Sequence, residues 1–230
     1  MIIFMISGFA KSGKDTAALH LSDKLRFTKM SFADALKENV SKEFHIPLVD
    51  THNQAKKEAP LVRYPVYCKD KFAEHVNSFM YKEFRTAQGV RPNNFHVDEN
   101  NRMITQINGE SYGLFYTVRA LCILEGSTKR SADSDFWVNK VFIDAKRKGL
   151  QSLIVPDLRY KSEIAAVKML LEPNDKLVTI RINRFESTES TDPSENDLTD
   201  AQFDYYVDNK TTEEEFLNKI LEIGVKEIYG

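Results

Sequence analysis

The sequence predicts an α/β protein built on a parallel sheet, and three observations carry that prediction. Short, nearly continuous apolar runs occur at residues 2–7 (IIFMIS), 150–157 (LQSLIVPD) and 176–182 (KLVTIRI), the pattern of strands buried on both faces. Segments with apolar residues at helical spacing follow the first two runs, at residues 14–25 and 162–171. Alternating strand and helix implies parallel strands under right-handed crossovers.

Bulk properties limit the function classes. With 230 residues and 42% hydrophobic content, the chain is long enough for one sizeable core carrying an inserted lobe, so a single domain over residues 1–230 is expected. Lys plus Arg total 32 against 34 Asp plus Glu, a net charge of -2, which argues against binding nucleic-acid polymers or anionic membranes through a global basic field. Any anion site must therefore be local. The opening apolar run lacks a basic flank and is too short for a signal peptide or a membrane span, so a cytoplasmic location is expected. Cys68 and Cys122 are the only cysteines and form no C-x-x-C pair; they suit a reducing compartment and read as packing residues.

In chain order, residues 2–7 form the first strand. From Lys14 the period changes, with Ala17, Ala18, Leu21 and Leu25 on one helical face, so the intervening loop joins strand to helix. A weak strand near residues 29–31 leads into SFADALKENVSKEF, where Leu36, Val40 and Phe44 recur at helical spacing. Residues 46–115 read as an inserted lobe, with a helical stretch in KDKFAEHVNSFMYKEF and two short strands around a polar turn in FHVDENNRMITQI. YTVRALCILEG is a helix closed by Gly126, and SDFWVNKVFIDAKRKG another stopped by Gly149; both read as helices packed on the sheet. After the strand in LQSLIVPD come the helix SEIAAVKMLLEP, the strand KLVTIRI and a polar, lid-like stretch at 181–196. FDYYVD is a last strand, and a Thr212 to Glu215 capping box opens the final helix.

Gly8, Gly13 and Lys14 make G-x-x-x-x-G-K after a buried strand and before a helix, the context a phosphate-cradling loop requires. Glycines let backbone N–H groups converge on phosphate oxygens, the helix N-terminus adds partial positive charge, and the lysine reaches the β- and γ-phosphates. The candidate nucleotide-binding residues are Gly8, Lys11, Ser12, Gly13, Lys14, Asp15 and Thr16, with the phosphates of a nucleotide as the ligand. Where a Ser or Thr usually follows the lysine this chain has Asp15, whose carboxylate suits a Mg²⁺ held between it and the phosphates. The bland alternative is a glycine turn with a helix-capping aspartate.

A second constellation lies in VPDLRYKSE, which places Asp157 and Arg159 just past the carboxyl end of a buried strand, with Glu163 in the first turn of the next helix. Arg159 suits bidentate phosphate recognition. A surface Asp–Arg pair with a helix-terminal glutamate is the competing reading.

GFAKSGKDT, SFADALK, the Arg119-led helix before EGSTKRSADSDFWV, VPDLRYKSE and SENDLTDAQFDYYVDN together resemble the deoxynucleoside monophosphate kinases of tailed bacteriophages, in order along nearly the whole chain and least over residues 46–115. The resemblance implies a P-loop kinase fold with an acceptor lobe and a lid. It also implies that residues 12–16 bind ATP, and that Arg119, Trp137, Asp157, Arg159 and Glu163 line the acceptor pocket. Lys14, Asp157 and Arg159 are the expected catalytic residues. Ile123 stands where some relatives have a glutamine, which leaves base preference open.

Trp137, the single tryptophan, suits either a core anchor or a platform for the acceptor base. Arg181 and Arg184 open the lid-like stretch and would serve the transferring phosphoryl group. No histidine pair has metal-ligand spacing. The expected partners are small-molecule nucleotides, with no nucleic-acid polymer and no membrane; a homodimer stays open. Other small-molecule P-loop kinases, acting on dephospho-CoA or phosphomevalonate, are the nearest alternatives. A nucleotide-dependent switch is a further one, although the chain has no N-K-x-D guanine-reading motif.

Overall fold

A computed structural model describes residues 1–67, 80–184 and 197–230. The chain separates into two compact units, Met1–Ala35 with Asp133–Gly230, and Leu36–Ala132.

The first unit is a five-stranded parallel sheet with helices on both faces. Its strands are β1 (Ile2–Gly8), β2 (Thr28–Lys29), β8 (Ser152–Val155), β9 (Lys176–Asn183) and β10 (Tyr205–Asp208), in spatial order β10-β9-β1-β8-β2. The central strand β1 pairs in register with β8 from Ile2 opposite Ser152 and with β9 from Ile2 opposite Lys176. Helix α1 (Lys14–Leu25) carries β1 outward to β2, whereas α7 (Lys161–Leu170) carries β8 back across β1 to β9. Right-handed crossovers running in opposite directions put α1 and α7 on opposite faces. On the α1 face, Phe4, Ile6, Ile180 and Ile182 pack with Ala17, Ala18 and Leu21 and with Phe216 and Ile220 of α8 (Glu213–Tyr229). The alternate residues Ile3, Met5, Leu153 and Val155 are equally buried on the other face, as the period of two requires. Helix α6 (Phe136–Arg147) packs beside α7, and Gly149 follows it at φ 65, the left-handed stop expected from the sequence. Of the predicted capping box of α8 the threonine half is present, with Thr212 Oγ1 accepting from the Glu215 N–H at 3.3 Å.

The second unit is larger than the predicted insertion of residues 46–115. Leu36 and Val40 of α2 (Phe32–Glu43) and Val118 and Leu121 of α5 (Val118–Ala132) pack with Ile46 in one apolar cluster, so both helices contribute to this core. The expectation that α5 packs on the sheet is corrected accordingly. So is its predicted end: α5 runs through Gly126, where a Cβ would meet Leu36 Cδ2 at 3.3 Å. That glycine serves close packing, not a cap. Short helices α3 (Leu48–His52) and α4 (Gln54–Glu58) precede β3 (Pro60–Pro65), which pairs antiparallel with β7 (Phe115–Thr117). The predicted strand pair around a polar turn is β4 (His96–Val97) and β5 (Met103–Ile107). Strand β5 turns through Asn108 and Gly109, at φ 52 and 86, into β6 (Glu110–Gly113). Asn-Gly is the dipeptide such two-residue hairpins favour. Of the predicted helix in KDKFAEHVNSFMYKEF, most lies outside the described residues, as does Cys68; Met80–Glu83 is a 3-10 turn.

Candidate functional site

Strand β1 continues toward β8 and β2, while its neighbour β9 continues toward β10, so their connections leave in opposite directions. The crevice outside the carboxyl ends of two such strands is where open α/β sheets bind ligands. The Gly8 to Lys14 loop stands there.

That loop is built for close backbone approach. A Cβ on Gly8 would lie 2.6 Å from the Ile182 carbonyl oxygen, and one on Gly13 would lie 2.6 Å from Asn209 Nδ2. Gly13 also has φ 104 and Lys11 φ 63, left-handed backbone that reverses the chain before α1. The Ser12 N–H donates to the Phe9 carbonyl at 3.1 Å, and the first bond of α1 runs from the Ala17 N–H to the Gly13 carbonyl at 2.9 Å. The first-turn amides of a helix lack partners within it and point out of its end.

Side chains complete the loop. Lys14 Nζ donates to the carbonyls of Gly8 and Phe9 at 2.6 and 2.8 Å, folding the ammonium over the loop. Ser12 is 1% exposed, and its buried hydroxyl has no hydrogen-bond partner among the described residues. Asn209, just past β10, donates through Nδ2 to the Ser12 carbonyl at 2.8 Å. Arg184 Nη1 reaches the Lys11 carbonyl at 3.4 Å. Asp15 and Thr16 are exposed on the first turn of α1, and Lys29, at the end of β2, pairs with Asp15 at 3.2 Å. Asn209 follows the last strand read from the sequence, a place near a bound nucleotide's base, whereas Lys29 carries only the weaker signal of lying at a strand's carboxyl end.

The second constellation shares this unit. Asp157 accepts the N–H groups of Phe32 and Ala33 at 3.1 and 2.7 Å, tying the end of β8 to the first turn of α2. Burial pushes its carboxyl upward, against the opposing pull of those two N–H groups and of Arg159. Glu163 is 4% exposed and accepts the N–H groups of Arg159 and Tyr160 at 2.8 and 3.1 Å, which makes it the cap of α7. The Arg159 side chain is exposed. Trp137 is 3% exposed and packs edge-on against Phe136, with ring centroids 4.8 Å apart, the environment of a core anchor.

The lid-like stretch begins differently from the expectation. Strand β9 extends through Asn183, so Arg181 is a strand residue, 8% exposed. Its Nη1 donates to Ser7 Oγ at 2.8 Å and its guanidinium lies 4.9 Å from the Phe9 ring centre. Residues 185–196 of that stretch lie outside the described residues.

Arg119 lies in the other unit. Its Nε bonds to Glu58 Oε1 at 2.6 Å and faces Glu83 Oε2 at 3.8 Å. Burial alone would raise the Glu58 carboxyl, but Arg119, Arg85 and Arg91 together hold it below the ordinary range. Burial pushes the half-buried Cys122 thiol up.

Among the described residues, no helix is long and apolar enough to cross a membrane, and no group of three His, Cys, Asp or Glu is arranged to hold a metal. The sequence matches no protein-family model and no curated protein.

Proposed function

We propose that this protein transfers the γ-phosphoryl group of ATP to a deoxynucleoside 5′-monophosphate, giving ADP and a deoxynucleoside diphosphate. The observation that carries the donor half is the loop at the sheet's switch point. Two glycines leave no room for a Cβ, a buried Ser12 hydroxyl has no partner, and Lys14 is folded onto carbonyls it would exchange for phosphate oxygens. The acceptor half rests on the resemblance carried by VPDLRYKSE and the Arg119 and Trp137 helices.

In this reading the acceptor phosphate oxygen forms a bond to the γ-phosphorus as the bond to the β,γ-bridging oxygen breaks. No proton need move, so catalysis is positioning and charge neutralisation. Lys14 supplies charge at the β- and γ-phosphates, and the α1 amides and Ser12 hold the phosphate chain. Mg²⁺, when bound, would neutralise phosphate charge, and Asp15, exposed on the first turn of α1, is the carboxylate that would hold it or its water in exchange for Lys29; Mg²⁺ is commonly bound by one or two carboxylates plus substrate phosphates. Asp157 positions the start of α2 through its two backbone contacts. Arg159 is the cation of this unit that the resemblance assigns to the acceptor.

The test is ADP formation with each of the four deoxynucleoside monophosphates, with dephospho-CoA and phosphomevalonate as control acceptors. Turnover with at least one deoxynucleotide and neither control supports the reading. Turnover with a control alone makes the protein a different small-molecule kinase, and slow acceptor-independent hydrolysis alone makes it a switch.

A further inference from the structure

Within residues 36–132, three arginines from separate parts of the chain meet one carboxylate. Glu58 Oε2 accepts from Arg85 Nη2, and from Arg91 Nη2 at 3.3 Å; Oε1 accepts from Arg119 Nε at 2.6 Å. Arg85 is 4% exposed and has its other terminal nitrogen on the carbonyls of Lys82 and Phe84, while its backbone is bonded in both directions to Phe115. Arg85 is thus a fixed post, and Glu58 hangs from it.

The outer two arginines differ. Arg91 and Arg119 side chains are 62% and 37% exposed, and each spends one nitrogen on Glu58. The remaining nitrogens of both forks have no hydrogen-bond acceptor among the described residues. Lys57, next to Glu58 and half-buried, also has no acceptor there; burial and the neighbouring Arg119 pull its ammonium below the ordinary range. Three guanidinium groups, of Arg85, Arg91 and Arg119, thus stand against the carboxylates of Glu58 and Glu83. A salt-bridge clip needs no such surplus of oriented donors. Guanidinium forks with vacant N–H groups on a rigid carboxylate suit a tetrahedral dianion.

We propose that Arg91 and Arg119 form a binding site for a phosphate monoester dianion, with Glu58 as the positioning residue that aims both arginines. The site itself stands on this geometry. That its ligand is the 5′-phosphate of the acceptor nucleotide rests on the function proposed above.

The experiment is calorimetric titration, without ATP, of deoxynucleoside monophosphates, the matching phosphate-free deoxynucleosides, and inorganic phosphate into the wild type and the Arg91→Met and Glu58→Gln variants. The expected result is that the wild type binds a monophosphate at least about tenfold more tightly than its nucleoside, the size of one lost charge-assisted contact. Both variants should erase most of that ratio while Mg-ATP binding is retained. Arg91 is exposed, so its variant tests the site even if Glu58→Gln fails to fold. Phosphate binding that Arg91→Met abolishes, with no preference for any nucleotide, would keep the site and remove the nucleotide reading. A wild-type ratio near one without phosphate binding, or a ratio unchanged in Arg91→Met, would overturn the site.

Discussion

Asn209 Nδ2 donates to the carbonyl oxygen of Ser12 at 2.8 Å, joining the residue after the last strand to the glycine loop after the first. The same nitrogen is the atom a Cβ on Gly13 would strike. Asn209 therefore ties down the loop's position, while the φ of 104 at Gly13 is what calls for glycine there. Asn209→Ala should remove a bond with a net value of about 1 kcal/mol and weaken ATP binding several-fold, while Gly13→Ala should abolish it. Nucleotide titration of the two variants checks this; an unchanged dissociation constant in Asn209→Ala would show the loop holding its shape unaided.

Lys14→Met should lower phosphoryl transfer by at least about a hundredfold, because the proposed mechanism assigns its ammonium to the β- and γ-phosphates. Two of its hydrogen bonds run to carbonyls of the same loop and not into the apolar core, so the melting temperature should move little. Normal turnover in the folded variant would remove Lys14 from the chemistry.

Asp15 and Lys29 should respond with opposite signs. Lys29 Nζ sits 3.2 Å from the Asp15 carboxylate, where it competes with any cation for that oxygen. Asp15→Ala should raise the magnesium concentration needed for half-maximal nucleotide binding, and Lys29→Met should lower it. A magnesium titration insensitive to both variants would leave Asp15 as a helix-terminal charge alone.

Trp137→Ala should cost about 3–5 kcal/mol, since the ring is buried, and at roughly 2–4 °C per kcal/mol the melting temperature should fall markedly. Trp137→Phe should recover part of it. If instead the melting temperature holds while deoxynucleotide affinity falls, the indole serves the acceptor base and not the core.

The depressed carboxyl of Glu58 should make the stability of residues 36–132 fall in acid. A carboxylate whose folded pKa lies below its unfolded value contributes stability above the unfolded pKa, here near 4.5, and loses it as pH falls through the lower, folded value. Thermal melts from neutral pH down through that window should show wild type losing stability relative to Glu58→Gln. Parallel curves would mean that the three arginines do not depend on the charge of Glu58.

Local chemistry made much of this protein legible in its sequence. The parallel sheet was readable because its strands are short runs buried on both faces, and the loop because few residues other than glycine tolerate the backbone at Gly8 and Gly13. Long-range contact decided the rest. Gly126 has the composition of a helix stop, yet Leu36, ninety positions earlier, turns it into a packing site within a continuous helix. Glu163 and Asp157 carry charges that suit a ligand, but folding brings backbone N–H groups onto both. No local pattern links Glu58, Arg85, Arg91 and Arg119, because the distances that join them exist only after residues 36–132 have folded around a shared core. The sheet and the glycine loop after its first strand follow from local residue preference and so were written in the residue order; which charged side chains share a carboxylate followed from folding alone, since electrostatics acts through space and not along the chain.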